Sequence, residues 1–102
     1  MRIIARSTLR AFTDAHPRAR GPLEAWYGEA EAADWRSPND IKARYGNASV
    51  IANDRVVFNI AGNRFRLVVQ VGYDAQIVFI KFVGTHEEYD RIDAATVGFR
   101  RP

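Results

Sequence analysis

The spacing of apolar residues changes near the middle of the chain. Up to about residue 45 they recur at helical intervals, and beyond residue 50 they gather into short β-branched and aromatic runs. Arg2 to Ala5 is short and β-prone and predicts a first strand. Ser7-Thr8-Leu9-Arg10-Ala11-Phe12 predicts a helix with Ser7 as N-cap, its apolar stripe being Leu9 and Phe12 with Ala15 or His16 following. Pro17 stops this helix, and Gly21-Pro22 marks a turn with the proline just inside the next one. From Pro22 to Ala33 one face carries Leu23, Trp26, Tyr27, Ala30 and Ala33, with Glu24, Glu29 and Glu31 around the rest. Ser37-Pro38 opens a third, short helix through Ile41 and Tyr45. Asp40 stands where a capping box would place an acid, and Gly46-Asn47 ends the helix.

Val50-Ile51, Val56 to Ile60, Phe65 to Val71 and Ile77 to Val83 read as strands. Asn53-Asp54, Ala61-Gly62-Asn63 and Gly72-Tyr73-Asp74 separate them with turn chemistry, and connections this short demand antiparallel neighbours. The expected fold is α+β: an N-terminal strand, two or three helices packed on one face of a mostly antiparallel sheet, and a closing three-stranded meander. A helical turn is expected near Asp93 to Val97. No repeat or linker divides the chain, so one domain over residues 1–102 is expected.

Composition narrows the function. There is no cysteine, which excludes disulfides and thiolate metal sites, and His16 and His86 lie far apart. Neither a metal nor another cofactor is expected. The Met1-to-Arg6 stretch is too short for a signal peptide, and no run approaches the ~20 apolar residues of a membrane span. The expectation is a cytoplasmic protein without membrane contact. Net charge is +3, and all but two of the 15 cations are arginine, the side chain suited to bidentate phosphate contacts. Acids crowd Glu24 to Asp40, whereas Arg55, Arg64, Arg66 and Lys81 follow with only Asp74 between the last two. This asymmetry predicts a basic face and a polyanionic partner.

Alternation along Phe65 to Val71 sends Phe65, Leu67, Val69 and Val71 to the helices, and Arg64 and Arg66 to the open face, about 7 Å apart at the backbone. Lys81 lies in a strand so apolar that it must snorkel, pair with an acid or face a ligand. Directly after that strand comes Gly84-Thr85-His86-Glu87-Glu88-Tyr89-Asp90. Histidine moves protons near neutral pH, and a nearby carboxylate such as Glu88 or Asp90 can orient it. Tyrosine can donate to a phosphate or stack on a base. Beside arginines, this cluster suits metal-independent RNA cleavage. A base takes the proton of the ribose 2′-hydroxyl, cations stabilise the phosphate oxygens, and an acid protonates the departing 5′-oxygen. His86 leads for base or acid, and which group takes which part is open. Ordinary solvated arginines and a non-catalytic RNA- or ribosome-binding module on the same basic face are the alternatives.

Two segments carry a resemblance. Val56-Val57-Phe58-Asn59-Ile60-Ala61-Gly62-Asn63-Arg64-Phe65-Arg66-Leu67 and Phe82-Val83-Gly84-Thr85-His86-Glu87-Glu88-Tyr89-Asp90 resemble the HigB family of type II toxin–antitoxin toxins. Leu9-Arg10-Ala11-Phe12, Trp26-Tyr27 and Asp34-Trp35-Arg36-Ser37-Pro38 fit the same pattern, so the likeness spans roughly Met1 to Asp93. It implies a RelE-like fold, an mRNA interferase that cuts translated messages on the ribosome, and a HigA-like helix-turn-helix antitoxin partner. By position, Arg66 matches the family's strand arginine, and His86 and Tyr89 its C-terminal histidine and tyrosine. Lys81 stands on a strand where related toxins often place a base. Ala61 departs from an expected lysine, and Arg64-Phe65 from a common Lys-Tyr.

Overall fold

The computed structural model describes residues 1–98. In chain order these form β1 (Arg2–Ile4), α1 (Arg6–Ala15), a 3₁₀ turn (Pro17–Ala19), α2 (Arg20–Ala32), α3 (Pro38–Arg44), β2 (Ser49–Ile51), β3 (Arg55–Ile60), β4 (Phe65–Gly72), β5 (Ile77–Thr85) and α4 (His86–Tyr89). Among them one five-stranded sheet runs β1-β5-β4-β3-β2. The short connections make β2 to β5 an antiparallel meander, and β1 adds itself parallel to β5 at the edge. The result is the expected α+β architecture, consistent with a RelE-like fold.

Alternation decides the faces. Phe58, Leu67 and Val83 lie opposite one another across β3, β4 and β5, as do Asn59, Arg66 and Gly84 one step on. The first row faces the helices, where Phe58 packs among Trp26, Trp35 and Tyr45 with ring centroids 5.4, 6.1 and 5.0 Å away. Leu9, Leu23, Trp26 and Ile41 bring the helices onto this core. Tyr45 also donates from its hydroxyl to Glu29, and burial pushes its pKa up.

Helix ends differ from expectation in instructive ways. α1 starts at Arg6, with Ala5 at the N-cap and no side-chain cap, so Ser7 lies inside the helix. α2 starts at Arg20, which places Gly21 and Pro22 in its first turn. Proline is tolerated there because first-turn N–H groups have no intrahelical acceptor. Ser37 does cap α3 by position, but Asp40 reaches one residue further and accepts from the Arg36 N–H at 2.8 Å.

The β3–β4 hairpin turns through Ala61 and Gly62, both left-handed with φ of 54° and 68°. Glycine adopts this region without cost, whereas alanine crowds its Cβ against the backbone. Ala61→Gly is therefore expected to stabilise the fold by about 0.5–1 kcal/mol, read as a higher urea midpoint at unchanged slope. An unchanged or lower midpoint would show that the turn carries no such strain.

The second sheet face is not fully open. After α4 the chain turns through Asp93 to Val97, with the Val97 N–H bonded to the Asp93 carbonyl, as the expected helical turn requires. This segment crosses the sheet. Asn53 donates to the Ala95 carbonyl, and the Arg55 guanidinium donates to the carbonyls of Ala94 and Val97 at 2.9 and 2.6 Å. Val57 and Val68, which face this side, are buried. Gly98 lies so close to the Lys81 backbone that a side chain there would stand 2.7 Å from its carbonyl.

Candidate active site

Three local devices set the far end of β5. Gly84 is buried, and a Cβ there would meet the Phe82 ring at 2.5 Å and Glu88 Oε1 at 3.0 Å, so the strand closes tightly over its own helix cap. Thr85 then caps α4: its hydroxyl accepts from the Glu88 N–H at 3.2 Å, and the Glu88 carboxylate accepts from the Thr85 N–H at 2.8 Å. The His86 N–H donates to the Arg64 carbonyl at 3.0 Å, tying α4 to the β3–β4 hairpin.

These bonds divide the acids of the cluster. Glu88 serves the cap. Asp90 serves the histidine, with Oδ2 3.1 Å from His86 Nδ1 across one helical turn. That contact holds the ring by its Nδ1 side, on a side chain 47 % exposed. Arg66, opposite Gly84 in the ladder, sits with its guanidinium 5.9 Å from the Tyr89 ring centroid. Its Nη1 donates to the carbonyls of Asn63 and Phe65, which holds it against the hairpin. Arg64 belongs to the hairpin loop, not to β4, and with His86, Asn63 and Thr85 lines an open cleft of about 630 Å³. His86, Asp90, Tyr89, Arg66 and Arg64 are thus gathered around one end of the β4–β5 ladder.

Two expected RNA contacts fall elsewhere. Arg55 pairs with Gln70 in the ladder and is fully buried beneath the C-terminal segment, so its charge faces carbonyls rather than solvent. Burial lowers its pKa, and Asp93 opposes the shift. This corrects the placement of Arg55 on an RNA-facing surface: a strand start reads as exposed only when nothing packs over it. Lys81 is the extra residue of a β-bulge between the Val68–Phe82 and Val69–Ile80 pairs, with its ammonium 5.6 Å from the Phe79 ring centroid. It lies five residues from His86, about 16 Å along the strand, and is not brought to the cluster.

Sequence reasoning missed Arg18, which lines the same cleft from the 3₁₀ turn after α1. No local pattern signals it, since only tertiary packing brings that turn to the end of β5. A second groove, of about 460 Å³, separates α1 from α2 around Arg6, Arg10 and Tyr27, with Arg20 and Asp14 paired at 3.5 Å. Among the described residues no group of three His, Cys, Asp or Glu side chains is placed to hold a metal ion.

A family model described as HigB_toxin, RelE-like toxic component of a toxin-antitoxin system, matches residues 19–92. The chain belongs to this family. The matched stretch runs from the 3₁₀ turn to just past α4 and so contains the whole meander and the His86 cluster. Among curated relatives, the mRNA interferase toxin HigB of Escherichia coli (strain K12) is 27% identical over 92 residues, covering 88% of each chain. The mRNA interferase HigB of Escherichia coli O157:H7 and that of Shigella flexneri are similar to the same extent. Among the described residues of this HigB-family chain no helix is long and apolar enough to cross a membrane.

Proposed function

We propose that this chain is the mRNA-cleaving toxin of a toxin–antitoxin pair, acting in the cytoplasm on messages being translated by the ribosome. Its partner would be a HigA-like helix-turn-helix antitoxin. The observation that carries the reading is the His86–Asp90 pair, a half-exposed imidazole in the cleft that Arg64 also lines, at the end of the ladder where Arg66 meets the Tyr89 ring. The relatives named as mRNA interferases support it.

In this reading His86 Nε2 takes the proton of a ribose 2′-hydroxyl. The freed oxygen attacks the adjacent phosphorus, forming a new P–O bond as the bond to the 5′-oxygen breaks. The leaving oxygen takes a proton from the tyrosine, a protonated side chain or water, leaving a cyclic phosphate and a 5′-hydroxyl end. Arg66 neutralises charge gathering on the non-bridging oxygens, and its fixed hydrogen bonds spare reorganisation at that moment. Tyr89 orients Arg66 or the flanking base through its ring.

Primer extension on total mRNA after induction of the wild type, His86→Ala and Arg66→Ala tests this. New 5′ ends within coding regions are expected for the wild type and not for either variant. Translation arrest by the wild type without any new ends would leave only a non-catalytic RNA- or ribosome-binding module.

A further inference from the structure

Most arginines near an acceptor are engaged. Arg36 binds Asp34, Arg44 binds Glu29, Arg20 binds Asp14, and Arg66 donates to hairpin carbonyls. Arg2, Arg10, Arg18, Arg64 and Arg91 are exposed, and none of these side chains has a hydrogen-bond or ion-pair partner among the described residues. Of these, Arg18 and Arg64 both line the cleft that also holds Asn63, Thr85 and His86, with Glu87 as the acid among its lining residues. Two guanidinium groups sharing a concavity repel one another, and an anion between them turns that repulsion into attraction.

The spacing across this cleft is set by the core. α1 runs alongside β5, because β1 pairs parallel with β5 and feeds α1 directly. The far end of α1 then locks to the hairpin through rings: Phe12 stacks on His16 at 4.3 Å, and both meet Phe65 edge-on at 5.5 and 5.9 Å. Phe65 lies opposite Thr85, so Arg18, two residues past His16, is carried to the cleft that His86 also lines. Arg18 lies just ahead of the stretch matched by the family, residues 19–92.

We infer that this cleft is a phosphate track for a single RNA strand, in which Arg18, with Arg64, grips a phosphodiester neighbouring the one cleaved at His86. The inference rests on the ribonuclease reading above. Arg18 is a positioning residue: it touches no reacting bond and fixes the register of the strand. The phosphate can belong to message or to ribosomal RNA, since the chemistry recognised is the same.

A His86→Ala protein, which retains the cleft, serves as the binding background. Probes are a single-stranded RNA oligonucleotide and ribosomes with or without a bound message. Adding Arg18→Ala is expected to weaken RNA binding about 5- to 10-fold at low salt and to lower the slope of log affinity against log salt by about 0.7. Arg18→Lys should restore most of the slope, and Arg10→Ala, on the α1–α2 groove, should change neither quantity. A loss confined to oligonucleotide and message-bound ribosomes assigns the track to the message. An equal loss on empty ribosomes assigns it to ribosomal RNA. Unchanged affinity and slope with every probe overturn the inference.

Cleavage by the otherwise wild-type protein separates the two readings. Arg18→Ala should raise the half-saturating RNA concentration while leaving the maximal rate within about twofold. If the wild type cuts RNA and Arg18→Ala matches it in every respect, the track falls and the ribonuclease stands. If binding depends on Arg18 and the wild type cuts nothing, the ribonuclease falls and with it the register beside a cleaved bond, while the grip of the cleft on RNA phosphate stands.

Discussion

His86→Ala is expected to lower the rate of mRNA cleavage by about 10²- to 10⁴-fold, the range for removing a positioned general acid or base. The fold should survive the change. The side chain is about half exposed and pairs with Asp90, while the backbone N–H that ties α4 to Arg64 remains. Far-ultraviolet circular dichroism and the urea midpoint should therefore match the wild type, which separates lost chemistry from lost structure. Asp90→Asn should cost less, because it disturbs the orientation of the ring and the choice of protonated nitrogen without removing the imidazole. Cleavage by His86→Ala at the wild-type rate would remove His86 from the chemistry altogether.

Arg55→Ala is expected to destabilise the protein by about 3 kcal/mol, through the loss of two charge-assisted hydrogen bonds and the space left by a buried side chain. On a domain of ordinary stability this is a large fraction of the total. The loss should begin locally. Amide exchange should quicken first in residues 93–98, whose carbonyls at Ala94 and Val97 the guanidinium holds. Arg55→Met keeps much of the packing volume and should fall between wild type and alanine. For either variant, the salt dependence of RNA binding by the folded fraction should be unchanged. A variant of normal stability that loses RNA affinity and salt slope would return Arg55 to the RNA face.

The contrast between Arg55 and Arg66 shows how far side-chain pattern reaches. Alternation puts both on the side of the sheet away from the helices, since Arg55 pairs with Gln70 and Arg66 with Asn59 and Gly84. Alternation says nothing about what covers that side. The segment after α4 lies over one end and leaves the other to the Arg66–Tyr89 contact. Lys81 is similar: its strand was legible, and the bulge that sets it apart was not, because a bulge is a property of two paired strands.

The acids followed the same rule. His86, Glu88 and Asp90 are close in sequence, so their neighbourhood was evident, but three or four residues on a helix can serve either a cap or a partner side chain. The backbone geometry at Thr85 gives Glu88 to the cap and Asp90 to the imidazole.

By itself the sequence determined the order of helices and strands, the antiparallel meander, the core face and the cluster ending β5. Those rest on short-range causes: hydrophobic period, turn chemistry and tight connections. Tertiary structure alone decided which cations face solvent at the cluster. Arg55 is buried by chain almost 40 residues away, and Arg18 is delivered by a helix packed along a strand some 60 residues later. Such placements depend on long-range packing, which leaves no periodic mark on the residues it moves.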